Sequence, residues 1–80
     1  MEMSTAIRDY ILREFLVGES PERLTDATPL ISGGILDSIA IIKLIAFLEE
    51  TYHLQVEAHE IDMKHFNTIS DIVKFVELKL

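Results

Sequence analysis

Residues 33–48 read Gly33-Gly34-Ile35-Leu36-Asp37-Ser38-Ile39-Ala40-Ile41-Ile42-Lys43-Leu44-Ile45-Ala46-Phe47-Leu48. Two glycines let the backbone turn freely. Asp37 and Ser38 then offer oxygens able to cap a helix start. From Ile39 to Leu48 nine of ten positions are apolar, with Lys43 the exception. An isoleucine-rich run also suits a buried strand. Sixteen residues from Asp37 to Tyr52 without a breaker, ending in Glu49-Glu50, decide for helix. The wheel gives a core stripe of Ile41, Leu44, Ile45, Leu48 and Tyr52. Ile39, Ala40, Lys43, Ala46, Phe47 and Glu50 fall on the far side. A serine thus stands at the positive end of a greasy helix, where a phosphate is welcome.

Upstream, Met3, Ile7, Tyr10, Ile11 and Phe15 share one side at helical spacing. They predict an amphipathic helix over 3–17, capped by Ser4 or Thr5 and ended by Gly18. Residues 19–36 hold both prolines and no sustained period, a connection long enough to be functional or pinned by its own side chains. Leu24, Leu30, Ile31 and Leu36 are the expected pins, and Pro21 is placed to open a short turn through Leu24. Downstream, 60–66 reads as about two helical turns with Ile61, Met63 and Phe66 available for packing. Thr68 caps a last helix carrying Ile69, Ile72, Val73, Val76 and Leu80 on one stripe, with Asp71 as an imperfect capping box. The expectation is one all-α domain over 1–80, a four-helix bundle of three longer helices and a short third, with a long first loop.

Composition narrows the function. The formal charge of −7, from fourteen acidic and seven basic residues, opposes binding to nucleic acid. No cysteine is present, which removes disulfides and thiolate chemistry. No signal peptide or membrane span is visible, so no membrane partner and a cytoplasmic monomer are expected. Ser38 as a catalytic nucleophile lacks a base: His53, His59 and His65 all follow the second helix, which is roughly 24 Å long. Gly33-Gly34 lacks the lysine of a nucleotide-binding loop. Asp62 and His65, three apart, make a two-ligand pair of the kind common by chance, and no metal is expected.

Gly-Ile-Leu-Asp-Ser-Ile at 34–39 resembles the Asp-Ser-Leu attachment motif of acyl and peptidyl carrier proteins, with Ile39 in place of Leu. The resemblance extends over nearly the whole chain, through Phe47-Leu48-Glu49-Glu50, Tyr52, Phe66 and Thr68-Ile69. It implies an acyl-carrier bundle with no catalytic residue of its own. It also implies 4'-phosphopantetheine on Ser38, with Asp37 read by the phosphopantetheinyl transferase. Cargo would ride as a thioester, loaded by an adenylating enzyme and passed to tailoring or condensing enzymes. Fatty-acid carriers place acidic residues on the exposed face of this helix. Here Ala40, Lys43 and Phe47 stand there, and with Ile39 and Met63 they are the expected docking surface. The pattern is similar to free-standing aminoacyl carriers of nonribosomal-peptide-like pathways, prolyl carriers among them. It shares Leu-Asp-Ser with D-alanyl carriers and lacks the Gly-Gly-His-Ser of carriers embedded in synthetases. A fatty-acid or polyketide carrier, a D-alanyl carrier and an unmodified helical adaptor are the alternatives.

Overall fold

The computed structural model describes residues 3–16, 18, 22 and 24–80. Four α-helices follow one another: α1 over Met3–Phe15, α2 over Ser38–Tyr52, α3 over Met63–Phe66 and α4 over Ile69–Lys79. A 3₁₀ turn, Ala58–Glu60, precedes α3. The described residues contain no strand. The all-α expectation holds, with three longer helices and one short.

Each helix begins or ends where its local chemistry dictates. Asp37 sits in extended backbone before α2, and its carboxylate accepts the Ala40 N–H at 2.8 Å. Thr68 Oγ1 does the same for the Asp71 N–H at 3.0 Å. Asp62 caps α3 by accepting from the His65 N–H, so this helix starts at Met63 and not at 60. α2 stops at His53, which takes a left-handed φ of 55°. α1 already includes Ser4 and Thr5, so neither caps it. The expected turn at Pro21 lies outside the described residues.

The core is a single cluster. Ile7 and Ile11 of α1 meet Leu44 and Leu48 of α2, Phe66 of α3, and Ile69, Ile72 and Val76 of α4, all at or near zero exposure. α4 packs against both α3 and α1. Phe75, absent from the expected stripe, is buried against Phe66 at 5.2 Å between ring centres. Leu80, assigned to that stripe, is exposed because the helix has ended before it.

The long first connection is held without regular structure. Leu24, Leu30 and Leu36 are buried as expected, and Ile31 is half-buried. A second set of restraints comes from Asn67, between α3 and α4. Its carbonyl accepts the Leu30 N–H at 2.6 Å, and its Oδ1 accepts those of Ile31 and Ser32 at 2.9 and 3.0 Å. The Asp26 carbonyl accepts from the Ser70 N–H at 3.1 Å. These bonds satisfy backbone groups that a buried loop would otherwise leave orphaned. They fix the segment leading into Ser38 against the far end of the bundle.

Candidate functional site

Gly33 and Gly34 shape the approach to α2 for different reasons. Gly34 has φ +79°, a region that costs a residue with a Cβ. At Gly33 the φ is ordinary, but a Cβ would collide with the Pro29 carbonyl oxygen. Beyond them Leu36 is anchored in the core and its N–H reaches the Leu30 carbonyl at 2.9 Å. Asp37 is exposed but committed to its cap.

Ser38 is then the first residue of α2, exposed, and its hydroxyl makes no hydrogen bond among the described residues. A primary hydroxyl in that state is free to enter another protein's site. No histidine acts on it: His65 is committed elsewhere, its Nδ1 lying 2.8 Å from Asp62 Oδ1 and 3.1 Å from the Glu60 carbonyl. Partial burial works to raise the Asp62 pKa. The hydrogen bonds from the His65 backbone and ring, with His65 and Lys64 charge, outweigh it and hold the carboxyl below its ordinary value. The Asp62–His65 pair is therefore a helix cap with a side-chain brace, and no cluster of three or more metal-ligating residues exists among the described residues.

Two shallow grooves and one cleft surround this end of the molecule. A groove of about 330 Å³ runs beside Ser38, walled by Glu14 and Phe15 of α1, Ile35, and Asp37, Ile39 and Lys43. A second, about 450 Å³, continues past Lys43 to Tyr10, Phe47 and Glu50. On the other side of α2 a cleft of about 210 Å³ is lined by Ile31, Ile41, Ile61, Met63 and Phe66, with Asp62 its one charged wall.

Three expected docking residues keep their exposure and two change. Ile39 is 66% exposed, and Lys43 and Met63 are also open to solvent. Ala40 is only 6% exposed and cannot serve as a surface contact. The wheel fails there because α2 is covered from more than one side: Phe15 and Ile35 close over Ala40, while Ile31 and Phe66 approach Ile41. Phe47 is half-buried and stacks on Tyr10, with ring centres 4.1 Å apart and planes 16° from parallel. The Tyr10 hydroxyl donates to the Lys43 carbonyl at 3.1 Å. Burial and then Glu14 push that phenol above its ordinary pKa against the pull of Arg13, so it stays protonated and a donor. Ile42, 65% exposed, and Ile61 extend the apolar surface, and neither was expected there. Ile42 lies three residues after Ile39, the spacing that puts both on one face.

Residues 5–76 match the family model described as a phosphopantetheine attachment site. The chain belongs to this family of carrier proteins. It is similar to the probable acyl carrier protein PigG of a Serratia strain, with 31% identity over 94% of this chain and 85% of that protein. It is also similar to the D-alanyl carrier protein of Streptococcus pyogenes, 38% identical over 48 residues, which are 60% of this chain and 61% of that carrier's length. Among solved structures, the solution structure of a holo acyl carrier protein from Nitrosomonas europaea superposes with a TM-score of 0.78 at 31% identity, covering 99% of this chain and 96% of that one. A chain in a crystal structure titled as an FAD-dependent dehydrogenase superposes with a TM-score of 0.80 at 28% identity, over 88% of this chain and 97% of that one. The matched chain is thus itself of carrier size.

The carrier is not an enzyme, and it holds 4'-phosphopantetheine covalently. The arm supplies a terminal thiol on a long flexible tether. The described residues fit such a group: an unengaged exposed hydroxyl opens onto a groove with one cation and apolar walls. Carriers of this kind are served by a phosphopantetheinyl transferase and by biosynthetic enzymes. No helix among the described residues is long and apolar enough to cross a membrane.

Proposed function

We propose that the chain is a single carrier domain whose attachment residue is Ser38 and whose cargo is a small aminoacyl group held as a thioester, in a secondary-metabolite or nonribosomal-peptide-like pathway. The observation that carries the reading of Ser38 is its exposed, unpartnered hydroxyl at the first position of α2, directly after the Asp37 cap. In the modification the Ser38 Oγ–phosphorus bond forms as the bond to adenosine 3',5'-bisphosphate in coenzyme A breaks, and the hydroxyl proton passes to the transferase. Asp37 stands beside that hydroxyl as the residue the transferase reads.

The aminoacyl class is supported by the D-alanyl carrier relative and by a face of α2 that bears Ile39, Ile42, Lys43 and Phe47 where fatty-acid carriers are acidic. An adenylating enzyme would load the cargo. The carrier-sized chain in a flavin-dependent dehydrogenase structure suggests that an oxidising enzyme is among the tailoring partners. Partners would dock over Ile39, Lys43, the exposed edge of Phe47 and Met63, with the carrier monomeric in the cytoplasm. A second reading, an acyl cargo of fatty-acid or polyketide type, is favoured by the apolar cleft between α2 and α3.

Intact mass tests the first step. Incubation with coenzyme A and a broad-specificity transferase should add one phosphopantetheinyl group to the wild type and none to a folded Ser38→Ala variant. An unmodified wild type, or a modified Ala variant, overturns the assignment. Loading tests the second step: an adenylating enzyme with a small amino acid should acylate the modified protein. Efficient loading by a malonyl transferase alone would move it to the acyl class.

A further inference from the structure

The two grooves along α1 and α2 share Lys43 and form one trough. On α2 the floor follows Ile39, Lys43, Phe47 and Glu50, positions spaced to lie along one helical face. On α1 Glu14 faces the Ser38 end and Tyr10 the far end. From Ser38 to Glu50 the trough spans roughly 18 Å at the helical rise. That length is comparable to an extended arm built from pantoate, β-alanine and cysteamine. The trough is also fixed in shape, because Tyr10 is stacked on Phe47 and its hydroxyl is tied to the Lys43 carbonyl.

Charge separates this trough from the cleft across α2. A phosphodiester on Ser38 is an anion at the mouth of the trough. The Lys43 ammonium lines that mouth and makes no ion pair among the described residues. The other described ion pairs engage Arg8 with Asp26, Arg13 with Glu14, and Lys79 with Glu60. The cleft between α2 and α3 offers the reverse: its one charged wall is Asp62, and neither neighbour of Ser38 lines it.

We propose that the covalent arm rests in the trough between α1 and α2, its phosphodiester paired with Lys43 and its thiol end against Phe47 and Tyr10. Glu50, at the far end, supplies the countercharge for the ammonium of an aminoacyl cargo. This rests on Ser38 as the attachment residue. The resting arm is thereby laid along the face that partners must cover, and an enzyme reaching the thiol displaces it from Lys43.

The test uses the holo protein, with modification verified by mass. Nuclear Overhauser contacts should connect the pantoate methyls to Phe15 or Ile39, and the cysteamine methylenes to the Phe47 or Tyr10 ring. Lys43→Glu should remove most of that intensity while Lys64→Glu leaves it, and raising the salt well above physiological strength should weaken it in the wild type. Lys43→Gln, which keeps the stem, should give an intermediate loss. Contacts that fall on Ile61 and Met63, no contacts from a fully modified wild type, or contacts indifferent to Lys43→Glu each overturn the proposal. An arm found by mass on another residue overturns the Ser38 reading itself, and shows before any contact is measured.

Discussion

Asn67 holds more of the first connection than any apolar pin, through three backbone N–H groups that are 35 to 37 residues away by its own number. Asn67→Ala removes the acceptor for two of them. Leaving buried donors unmet costs about 1–3 kcal/mol. The variant should melt earlier by that amount in denaturant titration, while Asn67→Asp, which keeps the acceptor, should lose less. No local signal marks such a residue, because its partners are distant in sequence. The Asp37 and Thr68 caps, by contrast, were legible, since a cap bonds three residues ahead. The glycine pair was half legible. Gly34→Ala should destabilise through its positive φ and Gly34→Asn less so, whereas Gly33→Ala should destabilise through contact with Pro29.

α2 was read correctly in extent and incorrectly in one part of its surface. A single-stripe wheel suits a helix covered on one side. α2 is covered by α1 near Ala40 and Phe47 and by the first connection and α3 near Ile41, so small and aromatic residues on the supposed far side are drawn inward. Phe47 therefore has two duties, and a truncation must be read with care. Phe47→Ala should lower stability by about 1–2 kcal/mol through area and lost stacking. A double-mutant cycle with Tyr10→Ala should show about 0.5–1.5 kcal/mol of coupling in thermal or chemical melts. Phe47→Leu, which retains bulk, is the better probe of loading. Lys43→Glu should leave stability nearly unchanged and slow loading most at low salt, because an exposed charge acts on encounter.

For the molecule as a whole, acid should act first at the junction of the 3₁₀ turn with α4. Glu60 Oε1 accepts from Lys79 Nζ at 2.7 Å and from the Glu57 N–H at 2.8 Å. The Lys79 hydrogen bond, then that from Glu57, holds the Glu60 carboxyl below its ordinary value. A depressed carboxyl pKa contributes stability that is present above the unfolded value, about 4.3, and is lost as pH falls through the folded one. Melts taken from neutral pH down to about pH 3 should therefore show a shallower acid-side loss for Glu60→Gln than for the wild type. The four-helix order was visible from periodicity because each helix carries its own stripe. The junction was not, since Glu60 and Lys79 meet only once α4 has folded back.

The bonds from Asn67 and Asp26 also bear on how the protein opens. Amides in an irregular connection ordinarily exchange with solvent at rates set by small local openings. Here the Leu30, Ile31 and Ser32 amides are clamped to the residue between α3 and α4, and the Ser70 amide is clamped back to the connection. Deuterium should enter all four slowly and together, as one cooperative unit with the start of α4. The hinge for any partial opening should then fall elsewhere, and the carrier should present Ser38 from a segment as protected as a helix.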